Sequence, residues 1–193
     1  MIEHRHFMLH KPYGYLSQFV NNQNTRRSKK LLGELGIFPE GTMSIGRLDE
    51  ASEGLLLLTT DGKVSANICS KKVEKEYYVQ VDGEITPKAI ELLKVGVTIS
   101  IKGTKYTTLP CEAKILHPPP IFGPRPKMRD KHRPTTWVSI TIREGKFRQV
   151  RKMTAAVGFP TLRLVRVRIG PILLDNLASG DWVEVDDFRI EVE

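Results

Sequence analysis

The feature that most constrains the fold is a succession of short strand-like segments along the chain. They alternate apolar with polar residues or consist of brief runs of branched side chains, and turn residues such as Asp-Gly end several of them. The segments are residues 7–19, 55–62, 74–83, 97–103, 106–116, 135–142, 161–170 and 181–193. Because few helical segments lie among them, we expect an α+β fold whose largely antiparallel or mixed sheet carries helices on one face.

One helix is predicted from start and stop signals in "ITPKAIELLKVG". Thr86 can cap its N-terminus, Pro87 suits its first position, and Gly96 follows its last turn. Ile90 and Leu93 then form its inward stripe.

A second helix is predicted in "REGKFRQVRKMTAAVG", beginning near Phe147. Its apolar residues recur at helical spacing, and its cations share the opposite flank. The apolar stripe comprises Phe147, Val150, Met153 and Val157, and the cationic flank comprises Arg148, Arg151 and Lys152. This flank is either a solvated face or, with Gly145 before the helix, a surface that binds an anion or a carboxylate.

The stretch "GRLDEASEGLLLLTTDG" holds the first candidate for chemistry. If "GRLD" is extended, Arg47 and Asp49 fall on one face while Leu48 points into the core. A neighbouring cation favours the ionised carboxylate, so Asp49 would be an anion ready to act as nucleophile or base. The alternative is an aspartate that caps a turn or a helix. Asp61 and Gly62 are read as a turn of that kind, after the leucine strand.

Composition and charge exclude several classes of protein. Lys and Arg number 30 against 22 Asp and Glu, and the formal net charge of +8 fits a polyanionic partner such as nucleic acid. The apolar runs are shorter than a membrane span, and "MIEHRHFMLHKPYG" is too charged for a signal peptide, so we expect a cytoplasmic protein with no membrane partner. Cys69 and Cys111 form neither a disulfide framework nor a zinc-binding pair, so no metal is expected.

Two further segments are rich in cations. The first contributes Arg26, Arg27, Lys29 and Lys30, which form either a solvated loop or one that contacts nucleic acid. The second, "HPPPIFGPRPKMRDKHRP", combines prolines with Arg125, Lys127, Arg129, Lys131 and Arg133. Because its prolines favour extended conformations, we favour a flap over an RNA groove, ahead of a disordered linker and of a proline-rich peptide ligand.

Five segments, taken in order, resemble one enzyme family. They are "HKPYGYLSQF", "GRLDEASEGLLLLTTDG", "KEYYVQVDG", "EGKFRQVRKMTAAVG" and "LRLVRVRIGPILLDNL", and they span nearly the whole chain. The chain is similar to the small-subunit branch of the ribosomal pseudouridine synthases. The resemblance implies a single catalytic domain over residues 1–193 with the pseudouridine synthase fold, in which two α+β lobes flank a central catalytic cleft. It also implies a monomer that needs no cofactor and modifies ribosomal RNA, with the large-subunit (23S) RNA as the expected substrate.

The resemblance also implies roles for individual residues. Asp49 matches the catalytic aspartate, Tyr77 matches the tyrosine that stacks on the target base, and Arg151 matches the basic residue that pairs with the aspartate. Arg47 matches an arginine that helps to displace the target base, and Leu164 falls where a branched residue lines the pocket.

The chain departs from this branch in one respect. Many members carry a small RNA-binding domain before the catalytic one, whereas this sequence begins almost directly with "FMLHKPYG". Other residues must then supply affinity for RNA. We expect the proline-rich loop and a set of cations to do so, namely Arg26, Arg27, Lys30, Arg148 and Lys152.

The reaction that the resemblance implies suits these side chains. The target uridine must leave its stack, which costs a few kcal/mol, and stacking on Tyr77 would offset about 1–3 kcal/mol while Arg47 fills the gap. Tyr78 would point the other way in a strand and is assigned to packing. Cleavage builds positive charge on the ribose, so Asp49 can serve as nucleophile at C1', by addition at C6, or as base at C2'.

Two other functions stay open at this point. A non-catalytic RNA-binding or ribosome-assembly protein would use the same cations and aromatic rings, but it has no use for a carboxylate in a basic cleft. A nucleotide- or metal-dependent enzyme would need a phosphate-binding glycine loop or a His-Glu motif, which the sequence lacks. The two histidines of "EHRHF" are read as a surface pair.

Overall fold

The computed structural model describes residues 4–20, 28–70, 73–126, 133–188 and 190. The chain divides into two compact units. Unit 1 comprises residues 1–73 and 166–193, and unit 2 comprises residues 74–165. Each unit contains both strands and helix, so the predicted α+β architecture is confirmed. That the two units form one catalytic domain stays a prediction.

The described residues form eleven strands, three α-helices and one 3-10 turn at Leu32–Glu34. The strands are β1 (His6–Lys11), β2 (Met43–Ile45), β3 (Glu53–Thr59), β4 (Lys75–Asp82), β5 (Thr98–Ile101), β6 (Thr104–Thr107), β7 (Glu112–Ile115), β8 (Thr135–Ile142), β9 (Thr161–Ile169), β10 (Ile172–Leu173) and β11 (Trp182–Val185). The helices are α1 (Gly62–Ser70), α2 (Pro87–Val95) and α3 (Gln149–Ala156). The boundary between the units falls inside β9, after residue 165. None of the helices described is long and apolar enough to cross a membrane.

Unit 1 is built around β3. β1 pairs with β3 in antiparallel register, β2 also pairs with β3, and β11 lies along β1. All seven residues of β3 are buried, so the four-leucine run is a buried strand, as predicted. Two of its leucines, Leu56 and Leu58, pack in one cluster with Phe7, Leu9 and Leu32, and four partly buried residues pack against this cluster, namely Phe19, Leu35, Phe38 and Trp182.

Gly54 is required where β3 passes residues 166–169 of β9. Its φ is +104°, and a Cβ at this position would lie 2.2 Å from the carbonyl oxygen of Arg166. The Arg166 side chain returns to β3, where its Nε donates to the carbonyl of Leu55 at 2.8 Å. Only glycine permits both this backbone conformation and this close approach.

Unit 2 is built around β8, which pairs antiparallel with β4 and with β7, while β5 and β6 form a separate hairpin. α2 begins and ends at the residues predicted. The Thr86 side chain accepts from the N–H of Ala89 at 3.2 Å, Pro87 opens the helix, and Ile90 and Leu93 are buried. These local signals therefore located the helix correctly.

Helix α1 was missed in the sequence. Asp61 and Gly62 were read as a turn, but the Asp61 carboxylate accepts from the N–H groups of Lys63 and Val64 at 2.8 and 3.4 Å and so caps a helix. None of the residues of α1 is fully buried, so its apolar stripe was too weak to reveal it. The predicted strand over residues 106–116 is also wrong, because it divides into β6 and β7 on either side of Pro110, which has no N–H to donate.

The start of the third helix was also predicted wrongly. α3 begins at Gln149, because Arg148 adopts a left-handed φ of 52° that a helix interior does not accept. Phe147 is therefore outside the apolar stripe and is 61% exposed, while Val150 and Met153 are buried as expected. The helix ends before Val157.

Candidate active site

Asp49 lies in the segment that connects β2 to β3. Leu48 is buried, whereas Arg47 is exposed and Asp49 is half-buried. This alternation matches the prediction for an extended "GRLD" with Leu48 in the core. The carbonyl of Asp49 accepts a hydrogen bond from the N–H of Ser52 at 2.9 Å. Asp49 thus stands where the extended chain turns toward β3.

Ser17 fixes the backbone immediately before Asp49. Its buried hydroxyl donates to the carbonyl of Leu48 at 2.8 Å and accepts from the N–H of the same residue at 2.9 Å. The carbonyl of Ser17 in turn accepts from the hydroxyl of Ser44 at 2.9 Å. Sequence reasoning missed Ser17, because a lone serine far from Asp49 in the chain gives no signal of this contact.

Lys11 ties a second loop to the Asp49 segment. Its side chain is fully buried at the end of β1, and its ammonium donates to the carbonyls of Pro12 and Tyr15 at 2.9 and 2.7 Å. A third, longer contact of 3.4 Å reaches the carbonyl of Glu50, the residue after Asp49. The "HKPYG" segment therefore supports the turn that carries Asp49.

The surroundings of Lys11 make it an unusual lysine. Burial lowers the pKa of Lys11 to about 7, against the opposing effect of the carboxylates of Glu53, Glu50 and Asp49. Arg166 lowers the pKa of Lys11 further. A buried cation beside several carboxylates is typical of functional sites and of structural charge networks alike. The carbonyl contacts of Lys11 assign it a structural task here.

The predicted RNA-binding cations of unit 1 are only partly within the described residues. Lys30 is exposed, and its ammonium lies 5.3 Å from the centre of the Tyr15 ring. Neighbouring Lys29 forms an ion pair of 2.6 Å with Glu50. Arg26 and Arg27 lie outside the described residues.

Tyr77 lies in β4 of unit 2, opposite Ile140 of β8. It is 8% exposed and shares the buried face of the strand with Val79. Tyr78 faces the other way, and its ring centre is 6.4 Å from that of Phe122. The opposite orientations of the two tyrosines are those predicted. Leu164, in the unit 2 part of β9, is also buried.

The cations predicted on one helical flank take different positions. Arg151 and Lys152 lie on α3 and are half-buried, and the ammonium of Lys152 donates to the carbonyl of Ser100 in β5 at 2.7 Å. Arg148 precedes the helix and is exposed. The predicted set is thus divided, with Arg47, Asp49 and Lys30 in unit 1 and Tyr77, Arg148, Arg151, Lys152 and Leu164 in unit 2.

Glu144 holds the segment before α3 in place, and sequence reasoning missed it. One carboxylate oxygen accepts from the backbone N–H of Leu109 at 2.9 Å and from the side-chain amide of Gln149 at 2.6 Å. The other accepts from the hydroxyl of Tyr106, a hydrogen bond that raises the pKa of Tyr106. Glu144 therefore joins the β5–β6 hairpin to the N-terminus of α3.

The described part of the proline-rich loop is packed on unit 2. The Phe122 ring lies 5.5 Å from the ring of Trp137, and the guanidinium of Arg163 lies 5.4 Å from the centre of the Phe122 ring. Arg163 also donates to the carbonyl of Gly123 at 3.0 Å. These contacts do not fit a disordered linker over residues 117–126. Lys127, Arg129 and Lys131 lie outside the described residues, and the flap over RNA stays a prediction.

A cavity of about 280 Å³ lies elsewhere in unit 1, between α1 and the chain near Phe188. None of the predicted site residues lines it. Among the residues that the structure describes, no group of three or more His, Cys, Asp or Glu side chains could hold a metal ion.

Known proteins match the chain over most of its length. The sequence model of the family described as RNA pseudouridylate synthase matches residues 5–156. Several relatives are named "Ribosomal large subunit pseudouridine synthase E". The relative from Vibrio vulnificus is 39% identical, and the match covers 96% of this chain and 76% of the relative. The relative from Xanthomonas campestris is 42% identical, and the match covers 94% of this chain and 95% of the relative. "Ribosomal large subunit pseudouridine synthase B" of Bacillus subtilis is 32% identical, and the match covers 96% of this chain and 70% of the relative.

Solved structures give the same result for the fold. One described as "Crystal structure of pseudouridylate synthase" superposes with a TM-score of 0.74 and 29% identity, covering 96% of this chain and 71% of that chain. A Cbf5-Nop10-Gar1 complex, at 15% identity and a TM-score of 0.54, is similar in fold alone. The fold that the sequence motifs implied is therefore confirmed.

Proposed function

The chain belongs to the RNA pseudouridylate synthase family, and from this premise we propose that it converts a specific uridine of large-subunit ribosomal RNA into pseudouridine, with Asp49 as the catalytic residue. The substrate is inferred from the names of the relatives, several of which act on the large ribosomal subunit. The observation that carries the assignment of Asp49 is its anchored position. Ser17 and Lys11 fix the backbone on both sides of a half-buried carboxylate that follows an exposed arginine.

The reaction is an isomerisation that needs no oxidant and no co-substrate. The bond between C1' and N1 breaks, the base rotates while it stays bound, and a bond between C1' and C5 forms. The proton on C5 leaves, and N1 gains one. Bond cleavage builds positive charge on the ribose, which a fixed carboxylate stabilises most strongly where water is excluded. Asp49 would supply that charge whether it attacks C1', adds to C6 or removes the C2' proton.

Three other side chains would handle the flipped base. Removing a uridine from its stack costs a few kcal/mol, and each base that stacks on an aromatic ring recovers about 1–3 kcal/mol. We assign the stacking to the Tyr77 ring, which is 8% exposed, the displacement of the base to exposed Arg47, and the apolar wall of the pocket to buried Leu164. Lys30, Arg148 and Lys152 would bind phosphates, together with Arg26 and Arg27.

Arg151 is proposed to pair with the Asp49 carboxylate and orient it for the reaction. The two residues belong to different units, so their pairing is a prediction of the proposed function. Arg151→Met should lower kcat by one to two orders of magnitude and leave the Kd for ribosomal RNA within a few-fold of wild type. An equal loss in kcat and in RNA affinity would instead make Arg151 an RNA-binding residue.

Tritium release tests the proposed function directly. Ribosomal RNA labelled at C5 of uridine, both naked and in assembling large subunits, is incubated with wild type, Asp49→Asn and a matched control, Asp175→Asn. Asp175 is exposed and has a φ of 47°, which asparagine also adopts. Wild type and the control should release tritium with or without a chelator, and Asp49→Asn should release none.

Two outcomes would contradict the proposal. If wild type releases no tritium from either substrate, the chain is a non-catalytic RNA-binding or ribosome-assembly protein. If Asp49→Asn remains active, another residue carries the reaction. A cytoplasmic, monomeric enzyme that works without a membrane is part of the proposal, and size-exclusion chromatography of the active fraction checks the monomer.

A further inference from the structure

Phe147 is a large apolar side chain that the fold leaves in solvent. It is 61% exposed, two residues before α3, at a position where the apolar periodicity predicts burial. The ammonium of Lys152 lies 5.1 Å from the centre of its ring. Lys152 is held there because it also donates to the carbonyl of Ser100. One side of the ring therefore carries a fixed cation.

The turn that presents Phe147 is anchored at both ends. Glu144 binds the backbone of Leu109 and the amide of Gln149, as described above. The oxygen of the same Gln149 side chain accepts from the N–H of Lys146 at 3.0 Å, which closes the turn around residues 144–149. Gln149 is buried, so these contacts are protected from water. The Phe147 ring is thus presented on an ordered turn.

The charge around Phe147 restricts what can cover it. Lys146 and Arg148, its two neighbours in the chain, are exposed, and Lys102 and Lys105 are exposed on the adjoining hairpin. The ammonium of Lys146 lies 5.0 Å from the centre of the Tyr106 ring. Glu144, an acidic residue at the start of this turn, is engaged by the contacts just described. An occupant must therefore combine an apolar, flat face with negative charge.

A single-stranded nucleic acid has both properties. Each base offers a flat face that stacks on an aromatic ring, and each phosphate pairs with Lys or Arg. A duplex keeps the faces of its bases stacked inside, so it would meet the cations but leave Phe147 uncovered. An apolar protein partner would cover Phe147 but would also take the exposed cations beside it out of water, which is costly.

We propose that Phe147, with Lys146 and Lys152, forms a second base-binding platform, which takes an unpaired nucleotide of the substrate RNA other than the uridine that is isomerised. This inference rests on the proposed function for the identity of the RNA. The platform adds a specificity requirement to that function, because the substrate must be unpaired at the position that reaches Phe147. Stacking of one base would tighten RNA binding by about 5- to 150-fold.

Direct binding tests the platform without relying on catalysis. The probe is an unstructured oligouridine RNA that carries one 2-aminopurine, whose fluorescence is quenched when it stacks, and a duplex of the same length is the competitor. Phe147→Ala should raise the Kd for the single strand at least about 5-fold and leave the Kd for the duplex unchanged. Phe147→Trp should retain or tighten binding, and Phe147→Leu, which keeps apolar area without a ring, should behave like Phe147→Ala. The control is Val95→Ala, an equally apolar change at a 73% exposed position of α2.

Activity measurements then separate the platform from the proposed function. With ribosomal RNA as substrate, Phe147→Ala should raise KM by a similar factor and change kcat less than 2-fold. If wild type is active and Phe147→Ala has an unchanged Kd and KM, the platform is wrong and the proposed function stands. If binding depends on Phe147 but wild type releases no tritium, the platform stands and the proposed function fails. Binding by Phe147→Leu that equals wild type would also overturn the platform, because an apolar contact without stacking would then suffice.

Discussion

Ser17 has the most direct influence on the geometry around Asp49. Ser17→Ala removes one hydroxyl and leaves both the N–H and the carbonyl of Leu48 without their partner in a buried place. We expect a loss of about 1–3 kcal/mol in the free energy of unfolding and a clear fall in kcat. Urea unfolding and single-turnover tritium release measure the two effects.

The control for this change is Ser70→Ala, which removes an exposed hydroxyl that donates to the carbonyl of Asn67 at the end of α1. Its free energy of unfolding should stay within about 0.5 kcal/mol of wild type, with unchanged kcat. A wild-type kcat in Ser17→Ala would show that the hydrogen bonds between Ser17 and Leu48 are not needed to hold the Asp49 carboxylate in place.

Lys11 should make stability depend on pH above neutrality. Burial lowers its pKa to about 7 in the folded protein, whereas an exposed lysine in the unfolded chain has a pKa of about 10.4. Between these values the unfolded state binds more protons than the folded state, so the free energy of unfolding rises with pH, by up to about 1.4 kcal/mol per unit. Below pH 7 both states hold the proton and this contribution is flat.

Lys11→Gln isolates that contribution, because all other titrating groups remain in both proteins. Urea unfolding between pH 7 and pH 9 should show that the free energy of unfolding rises less with pH in the variant than in wild type. The amide still donates hydrogen bonds toward the carbonyls of Pro12 and Tyr15, which favours folding of the variant. Equal slopes would mean that these carbonyls keep Lys11 protonated despite its burial.

At this scale the sequence was enough to propose Asp49 as the catalytic residue, which stays a prediction, but not to predict the residues that hold its backbone. Asp49 could be proposed because Arg47, Leu48 and the leucine strand lie beside it, and because the motif resembles that of a known family. Ser17 lies 31 residues before Leu48, and Lys11 lies 39 residues before Glu50. Contacts of that separation depend on how β1 and β3 pair, which no local pattern expresses.

Among the structural elements, β3 is the one whose close packing is most easily tested. Gly54→Ala would place a Cβ 2.2 Å from the Arg166 carbonyl at a φ of +104°. We expect the free energy of unfolding to fall by more than about 3 kcal/mol, seen as a lower thermal midpoint or as insoluble protein. Gly62→Ala, at the first residue of α1 with no atom within 4 Å of the added carbon, is the matched control and should melt at or slightly above the wild-type temperature. A wild-type midpoint for Gly54→Ala would contradict the close approach of β3 and β9.

The elements that sequence located well are those with strong local signals. α2 has a cap, a first-position proline and a terminal glycine, and β3 has four consecutive leucines. α1 lacks a buried stripe, so only the Asp61 cap could have revealed it. The start of α3 was misplaced because periodicity says nothing about the left-handed φ of Arg148. That error concealed the exposure of Phe147, on which the second platform depends.

For the whole molecule, the net charge of +8 becomes informative only once its cations are placed. Charge by itself is compatible with any polyanion. The structure puts Lys152 beside the exposed ring of Phe147 and Lys146 beside the ring of Tyr106 in unit 2, and Lys30 beside Tyr15 in unit 1. Cations interleaved with rings are typical of proteins that bind single-stranded nucleic acid.

Salt dependence distinguishes the cations that bind phosphate from those that do not. Each phosphate neutralised on a single strand contributes a slope of roughly −0.7 to the logarithm of RNA affinity against the logarithm of salt concentration. Lys30→Ala and Lys152→Ala should each make this slope shallower by about that amount. Phe147→Ala should weaken RNA binding but leave the slope unchanged, because stacking releases no counterions. Lys94→Ala is the control, since the Lys94 ammonium already pairs with Glu91 at 2.7 Å on α2. If Lys94→Ala changes the slope as much as Lys152→Ala, the protein binds RNA through its overall charge, and the placement of cations in unit 2 has no role in recognition.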